Sequence, residues 1–406
     1  MAKYKILVIP SDRTGVSKFR SVDPHLRLQE MYPDDFWIDI DYDPKVDDDN
    51  FLKGYDLIHY HRGIGGDPNK SRQAIKRINE LGIPAIMDLD DFWLPNREHP
   101  AYSLVKQNNV AEMIKENLRN SQYITTTTPL FASEISSLNK NVFVMPNAIN
   151  PKEKQFQNKH EECSRIRIGW LGGSSHEADL EILRGVPDRL QPYKEDYQFV
   201  ICGFDTRGVI TMVDQSTGEQ KQRAITPKES VWWRYEKLFT QDHRDLDSDY
   251  VNYLMQFKED KYDDYEKPYR RVWTRPITTY AENYNRFDIS LAPLKEHLFN
   301  KVKSQLKVIE AGFHKKALIA QNFGPYTIDC VSAVGFGGKL NPKGNSLLVD
   351  SHKNHKQWYQ HIKRLLENPN MITDLGEKLY EDVQIYHMDK VTHDRAELYK
   401  QLIKKG

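Results

Sequence analysis

The feature of this sequence that most constrains its fold is an alternation of short apolar runs with amphipathic stretches, and this alternation occurs twice. In the first part, strands are predicted at Ile6–Ile9, Asp56–Tyr60, Pro84–Asp88, Tyr123–Thr127 and Val142–Met145, and helices at Ser71–Leu81 and Val105–Asn120. Short apolar strands that alternate with amphipathic helices predict a parallel sheet covered by helices on both faces.

A second alternation follows a polar segment over 151–165 that has no apolar period. Strands are predicted at Ile166–Leu171, Phe199–Cys202, Phe287–Leu291 and Leu318–Ala320, helices at Glu177–Leu183, Gln357–Leu366, Ile372–Tyr386 and His393–Ile403. A length of 406 residues is typical of two domains. We therefore expect domains over 1–150 and 166–385, joined by the polar linker, and a C-terminal helix over 386–406.

The second half is interrupted from about 205 to 271 by a charged stretch rich in aromatic residues. Thr226–Glu229 is typical of a helix start, because it combines a capping box with proline at the first helical position. A second helix is predicted at Asp249–Lys258. We interpret the stretch as a helical insertion, which either contacts an acceptor or partner or forms a subdomain with its own small core.

Composition excludes several broad classes of protein. Lys and Arg together number 58, as do Asp and Glu, so no overall charge favours nucleic acid or an anionic membrane. Mean hydropathy is −0.71, and no apolar run approaches the length of a membrane span. The chain start is too short and too charged for a signal peptide. The three widely spaced cysteines, Cys163, Cys202 and Cys330, indicate neither a disulfide framework nor a metal site. We expect a cytoplasmic protein, with peripheral membrane association left open.

The segment from 299 to 313 combines groups suited to a nucleotide-sugar. A helix is predicted to begin near Ser304, a good capping residue, directly after Lys303. Free backbone N–H groups and partial positive charge at a helix start attract phosphate, and Lys303 and Lys307 add full charges. Two turns into the helix, Glu310 presents a carboxylate to which sugar hydroxyls can bind. The alternative is an ordinary amphipathic helix with surface lysines and a surface glutamate.

A glycine pair opens the second half of the chain. Gly172 and Gly173 follow the predicted strand Ile166–Leu171 and precede a helix that starts close to His176. Adjacent glycines allow a backbone to approach phosphate closely. The loop does not match the Gly-x-Gly-x-x-Gly pattern, which disfavours a dehydrogenase.

In order and spacing these motifs resemble the donor-binding signature of the GT-B glycosyltransferases, specifically glycosyltransferase family 4 (group 1). The resemblance covers most of the chain outside the insertion, including a Lys-Ser pair before the helix, a Gly-Pro-Tyr loop at 324–326 and a Pro-Asn turn at 146–147. It implies an α/β fold of the GT-B type: two doubly wound Rossmann-like domains facing a cleft, with a helical insertion in the second domain. It also implies that the helix over 386–406 could return to the first domain.

The resemblance also implies a donor site. Its residues would be Gly172, Gly173, His176, Asn300, Lys303, Ser304, Lys307 and Glu310. The glycines, the lysines and Ser304 would hold the diphosphate and neutralise charge on the leaving group, and Glu310 would bind the ribose. Many family members carry a second glutamate eight positions before the Glu310 equivalent, where this chain has Val302. That departure leaves the sugar and the stereochemical course open.

The acceptor is assigned to the first domain, through Gly15, Arg20, His61 and Asp90. His61 ends a predicted strand and could act as a base or as a hydrogen-bond partner to the reacting hydroxyl, so His61, Asp90, Lys303 and Glu310 are the candidate catalytic residues. A structural histidine and a solvated Arg20 are the alternatives. Asp88-x-Asp90 matches the metal signature of GT-A transferases, but the resemblance to GT-B enzymes implies no bound metal and no cofactor besides the donor substrate.

The resulting hypothesis is a hexosyl- or pentosyltransferase that moves a sugar from a nucleoside-diphosphate sugar to an acceptor hydroxyl, with retention of configuration implied by the resemblance. Two alternatives remain: a GT-B nucleotide-sugar epimerase, which would alter its donor without an acceptor, and a non-catalytic binding protein of the same fold. The donor base, the sugar, the oligomeric state and the acceptor, whether glycan, lipid-linked glycan, protein or modified nucleic acid, are left open.

Overall fold

The computed structural model describes residues 3–205, 207–213, 220–226, 229–240, 268–351 and 355–404. The predicted helix Asp249–Lys258 lies outside the described residues. The chain divides into two compact units. The first comprises Met1–Lys152, Glu296–Ile309 and Val383–Gly406, and the second comprises Glu153–Lys295 and Glu310–Asp382. Each unit has a parallel six-stranded sheet.

The sheet of the first unit is wound in two directions. Its strands are β1 (Tyr4–Ile9), β2 (Phe36–Ile40), β3 (Leu57–His61), β4 (Ala85–Leu89), β5 (Tyr123–Thr126) and β6 (Val142–Val144). Their order is β2-β1-β3-β4-β5-β6, and every pair is parallel. The winding reverses between β1 and β3, and in such sheets ligands bind at the carboxyl ends of the strands beside this switch point.

Helices cover the first sheet. Those in the amino-terminal segment are α1 (Gly15–Ser17), α2 (Asp23–Met31), α3 (Asp49–Leu52), α4 (Pro68–Glu80), α5 (Tyr102–Gln107), α6 (Val110–Asn120) and α7 (Pro129–Ile135), and a π-helix spans Lys18–Val22. The prediction of one helix over Val105–Asn120 is wrong. Asn109 has a left-handed φ of 55°, a conformation that asparagine tolerates, and it separates α5 from α6.

The second sheet is wound in the same way. The strands of the second unit are β7 (Ile166–Leu171), β8 (Tyr197–Phe204), β9 (Val209–Val213), β10 (Gln220–Ala224), β11 (Tyr269–Trp273), β12 (Ile289–Ala292), β13 (Ala317–Gln321) and β14 (Leu347–Val349). The main sheet has the order β11-β8-β7-β12-β13-β14, with parallel pairs. Its switch point lies between β7 and β12, directly before the loop that holds Gly172.

The remaining helices complete both units. They are α8 (Glu177–Leu180), α9 (Val186–Leu190), α10 (Val231–Phe239), α11 (Leu298–Lys301), α12 (Leu306–Phe313), α13 (Tyr326–Asp329), α14 (Lys356–Glu367), α15 (Pro369–Asp382) and α16 (Met388–Ile403). Short 3₁₀ helices span Lys154–Phe156, Glu181–Leu183, Gln191–Tyr193, Tyr280–Arg286, Phe336–Gly338 and Val383–Tyr386.

The interrupting stretch contains more than helix. In addition to α10 it holds an antiparallel hairpin of β9 and β10, and Tyr269–Arg271, which the sequence placed in the insertion, belong to β11 at the edge of the main sheet. Trp232, Tyr235 and Leu238 of α10 lie in the main apolar cluster of the second unit. Helix α10 is therefore part of that unit's core.

Apolar clusters cover both faces of the first sheet. One includes Ile58, Met87 and Ile124, and the other includes Ile6 and Tyr399, the latter contributed by α16. Among the described residues, no helix is both long and apolar enough to cross a membrane. Cys202 is fully buried, as its apolar sequence context predicts, and none of the three cysteines forms a disulfide.

Candidate functional site

Three loops meet at the carboxyl edge of the first sheet, around its switch point. Ser11 follows β1, His61 ends β3 and Asp90 follows β4. Ser11 is exposed, whereas His61 has no exposed surface. Gly15, a predicted acceptor residue, begins α1 four residues after Ser11. His61 and Asp90, both assigned to the acceptor from sequence, lie at one edge because they come at the ends of neighbouring parallel strands.

His61 is hydrogen-bonded through both ring nitrogens. Nε2 lies 2.9 Å from Asp90 Oδ1, and Nδ1 lies 2.7 Å from Ser11 Oγ. Because a carboxylate only accepts hydrogen bonds, Nε2 carries a proton that it donates to Asp90, and Nδ1 pairs with the Ser11 hydroxyl. A direct contact between His61 and an acceptor would therefore require displacement of Ser11, and the exposed end of this chain of hydrogen bonds is Ser11 itself.

Asp90 is held as a carboxylate. Burial alone would raise its pKa, but the Arg62 guanidinium, His61 and their hydrogen bonds hold the pKa of Asp90 well below its usual range. Arg62 Nη2 donates to Asp90 Oδ1 over 2.8 Å. The backbone of Arg62 has a φ of 62°, which is uncommon for a side-chain-bearing residue and is found at sites where surrounding structure enforces it.

Arg20, a predicted acceptor ligand, lies inside the first unit. Its guanidinium donates to both oxygens of Asp88, over 2.9 and 2.7 Å, to the Met145 carbonyl over 2.8 Å and to Asn147 over 3.0 Å. Only 1% of the residue is exposed. The alternative of a solvated arginine is therefore wrong, and binding of an anion by Arg20 would require breaking a buried ion pair.

The glycine loop of the second unit follows β7. A side chain at Gly172 would place its Cβ 2.4 Å from the Trp170 ring, whereas a Cβ at Gly173 would meet nothing within 4 Å. His176 lies at the start of α8, and its Nδ1 is 2.8 Å from Asp179 Oδ2. A cavity of about 390 Å³ adjoins this loop, lined by both glycines and by Gly203, Asp205 and Trp232 among others.

The predicted diphosphate segment lies on α11, α12 and the turn between them. Helix α12 begins at Leu306, two residues later than predicted, and Gln305 is buried with its Nε2 donating to Tyr386 over 2.9 Å. Asn300 is buried in α11, and Lys303 Nζ lies 4.9 Å from the centre of the Phe299 ring. Ser304 and Lys307 are half-buried, with Lys307 in the first turn of α12.

Glu310, on α12, is a buried carboxylate that two tyrosines hold. Tyr284 Oη donates to Oε2 over 3.0 Å, and Tyr280 donates to Oε1. Burial, and next the negative charge of Glu310, raise the pKa of both tyrosines well above the usual range. Each carboxylate oxygen offers two lone pairs, so these bonds alone do not saturate Glu310 as an acceptor.

Val302 stands where family 4 members carry their earlier glutamate, and it is an apolar core residue here. It is 1% exposed and packs in the same cluster as Trp93 and Phe131 of the first unit. A glutamate in this packing would be a buried charge, so the departure from the family pattern matches the local structure.

Four side chains in these arrangements were not predicted as site residues. Arg62 directly follows the predicted His61, and Ser11 lies four residues before the predicted Gly15, but nothing in the local pattern indicated their contacts. Tyr280 and Tyr284 lie on a 3₁₀ helix, in which residues three rather than four apart share a face, so their spacing gave no signal of the shared contact with Glu310. None of the predicted binding or catalytic roles is tested by this geometry, which shows only which groups come together.

The comparisons with known proteins concern structure. No family model and no curated protein sequence matches the chain. HepE from Anabaena, in complex with UDP-glucose, aligns with a TM-score of 0.56 at 11% identity over 98% of this chain and 100% of HepE. Sucrose-phosphate synthase from Thermosynechococcus elongatus aligns with a TM-score of 0.54 at 14% identity over 87% of this chain and 75% of that one.

A UDP-forming α,α-trehalose-phosphate synthase from Burkholderia vietnamiensis gives a TM-score of 0.53 at 11% identity, over 86% of this chain and 72% of that one. Identities this low carry information about fold alone. Together with the two parallel six-stranded sheets and their flanking helices, they show that this chain has the α/β fold of the GT-B type.

Proposed function

We propose that this protein is a glycosyltransferase that moves a sugar from a nucleoside-diphosphate sugar to an acceptor hydroxyl. The observation that carries the proposal is the setting of Glu310, a buried carboxylate fixed by Tyr280 and Tyr284 on the helix that follows Lys303. A carboxylate held in a fixed orientation is suited to a ribose diol, whose two hydroxyls can each donate to one of its oxygens. The GT-B fold supports this reading as an analogy of fold.

On the donor side, Gly172, Gly173, Lys303 and Lys307 would hold the diphosphate. The open space beside Gly173 supports a close approach of phosphate to the backbone. The positive charges of Lys303 and Lys307 would stabilise the diphosphate as it leaves. Asn300, Ser304 and His176 would complete the donor contacts, and the UDP-glucose in the HepE structure makes uridine nucleotides the first to test.

On the acceptor side, Ser11, His61 and Asp90 would orient the reacting hydroxyl. Because His61 is buried and engaged at both nitrogens, it would act through the exposed hydroxyl of Ser11. The finer parts of the proposal rest on the family resemblance. They are membership of family 4, retention of configuration with assistance from the leaving phosphate, and independence from metal ions.

Binding of nucleoside diphosphates tests the donor site. We expect one of UDP, GDP, ADP, CDP and TDP to raise the melting temperature of the wild type by several degrees, since a ligand at 100 times its Kd adds about 2.7 kcal/mol. Glu310→Gln keeps the shape of the side chain and removes its charge, and it should lose more than half of that shift. Glu397→Gln, an exposed position, is the matched control.

A turnover assay then separates the alternatives. A transferase releases the nucleoside diphosphate faster when acceptor is present, whereas an epimerase converts its donor without acceptor. No thermal shift with any of the five nucleotides would contradict the proposal and favour a non-catalytic binding protein. An equal shift in Glu310→Gln and wild type would contradict the role of Glu310.

A further inference from the structure

Basic side chains gather at the amino-terminal edge of the second sheet. Arg167 is the second residue of β7, Arg270 is the second residue of β11, and Lys316 directly precedes β13. Since these strands are parallel, the three positions lie at one edge, opposite the edge that holds the Gly172 loop. This cluster is therefore separate from the Gly172 loop.

Arg167 is the least compensated member of the cluster. It has no exposed surface, and none of its three side-chain nitrogens has a hydrogen-bond partner. The nearest carboxylate oxygens, on Glu161 and Asp288, are both 3.9 Å away. A buried guanidinium without hydrogen bonds is costly, so this site has an unmet demand for oxygen acceptors.

Lys316 is a second buried cation at this edge of the sheet. It is 3% exposed, and its Nζ lies 3.4 Å from His160 Nδ1. Burial lowers the pKa of Lys316 to about 8; Asp288 opposes this change and Arg167 adds to it. An additional negative charge at this edge would stabilise both cations.

Glu161 is the carboxylate that bridges the arginines. Its oxygens lie 3.4 Å from Arg270 Nη1, 3.3 Å from Arg286 Nε and 3.9 Å from Arg167 Nη1. Glu161 comes from the irregular segment before β7, and 32% of its side chain is exposed. A single carboxylate thus occupies the position at which three guanidinium groups converge, and it reaches that position from the surface.

A cavity of about 350 Å³ opens beside Glu161 and gives access from solvent. Its lining consists of Lys154, Lys159, Glu161, Arg275, Glu282, Asn285 and Arg286. Four of these seven side chains are cationic. A small anion in this cavity would lie next to Glu161, whose carboxylate is 3.9 Å from Arg167 Nη1.

We propose that this edge of the second sheet is a binding site for a phosphate group, which takes the place of the Glu161 carboxylate and pairs with Arg167, Arg270 and Arg286. Phosphate offers more oxygen acceptors and more negative charge than a carboxylate, and arginine binds it in a two-pronged geometry. The group is either inorganic phosphate or the phosphate of a phosphomonoester. Glu161 is the internal competitor that this ligand displaces.

The test uses Glu161→Gln, which removes the competing charge while keeping the side-chain size. In sodium chloride, this variant should melt below the wild type, because the arginines lose their shared carboxylate. Inorganic phosphate at equal ionic strength should restore the melting temperature, with an apparent Kd at least tenfold lower than that of the wild type. Glu195→Gln is the matched control, since Glu195 also pairs with an arginine, Arg165, but is 74% exposed.

A second variant keeps the proposal falsifiable if Glu161→Gln does not fold. Arg286→Gln in the wild-type background should weaken the response to phosphate at least tenfold. A tighter response to a hexose monophosphate than to inorganic phosphate would identify a phosphomonoester, and equal responses would identify inorganic phosphate. The proposal is overturned if phosphate stabilises Glu161→Gln no more than sodium chloride does, or stabilises Glu195→Gln equally. None of these outcomes depends on the proposed transferase activity.

Discussion

His25 and His59 lie against each other inside the first unit, with ring centres 4.5 Å apart. His25 contacts the Ser21 carbonyl and the Tyr399 hydroxyl, whereas neither ring nitrogen of His59 has a partner. Burial lowers the pKa of both histidines well below the usual value, and the charge of Arg395 acts in the same direction. Both rings are therefore neutral in the folded protein.

This pair makes the protein sensitive to acid. An unfolded histidine titrates near pH 6.5, so the unfolded chain binds more protons than the folded one below that pH. The stability that the neutral rings contribute is fully present above about pH 6.5. It falls as the pH decreases toward the folded pKa values, by about 1.4 kcal/mol per pH unit for each histidine.

We expect His59→Phe to reduce the slope of the unfolding free energy between pH 6.5 and 5 by about 1.4 kcal/mol per pH unit, because it removes one titrating group. Urea unfolding at pH values from 5 to 8 measures this slope. His393→Gln, at an exposed position, should keep the wild-type slope. Equal slopes in His59→Phe and the wild type would show that His59 does not take up its proton on unfolding.

At the scale of elements, the two glycines after β7 differ in whether the structure has room for a side chain. The Gly172→Ala variant would force a methyl group to within 2.4 Å of the Trp170 ring, and overpacking of this kind typically costs about 1–3 kcal/mol. Gly173→Ala meets open space and should leave stability nearly unchanged. Thermal or urea unfolding of the two variants compares them directly, and equal stability would contradict the packing around Trp170.

If the loop binds a diphosphate as proposed, the variants Gly172→Ala and Gly173→Ala distinguish an effect on packing from an effect on nucleotide binding. Gly173→Ala should then weaken nucleotide binding at unchanged stability, because its methyl group fills the space that the phosphate would approach. Unchanged nucleotide affinity in Gly173→Ala would remove that loop from the donor site.

Sequence predicts the bounds of an element best where the residues along that element share one environment. The strand at 166–171 was predicted at its observed bounds, because four of its six residues are large and apolar and a glycine pair follows it. Helix α12 was predicted two residues early, since its start follows from the burial of Gln305 against Tyr386 rather than from Ser304. The break at Asn109 depends on a backbone conformation that no periodicity reveals.

In the candidate site too, some contacts could be predicted from the sequence and others could not. His61 and Asp90 could be predicted to meet, because strand ends in a parallel sheet converge. The hydrogen bond between Ser11 and His61 joins positions 50 residues apart and depends on the order of the strands. Arg20 was predicted to bind the acceptor, with a solvated arginine as the alternative. Its buried pairing with Asp88 from β4 joins positions 68 residues apart, and no local pattern indicates it.

At the scale of the whole molecule, neither compact unit is a continuous stretch of chain. The carboxyl-terminal residues from Val383 onward belong to the first unit, although the second unit precedes them in sequence. Backbone hydrogen bonds tie this segment to the end of the first sheet, since Ile149 N–H donates to Tyr386 and Met388 N–H donates to Ile149. The first unit is therefore complete only when the last helix is present.

A chain that ends at Asp382 tests this dependence. It lacks Met388, Val391, Ala396, Leu398, Tyr399 and Leu402, all buried in the cluster that covers β1. Each large apolar side chain of this kind contributes about 1.5–3 kcal/mol, so their combined loss approaches the 5–15 kcal/mol that stabilises a typical protein.

Hydrogen exchange of the truncated chain should show lost protection in β1 and β2 and unchanged protection in β7 and β8. A chain shortened only by Lys404–Gly406 keeps α16 and is the control, in which both sheets should retain their protection. If the truncated chain lost protection equally in both sheets, the second sheet would also depend on the last helix. If it kept full protection in β1, the cluster under α16 would not be needed to hold the first sheet together.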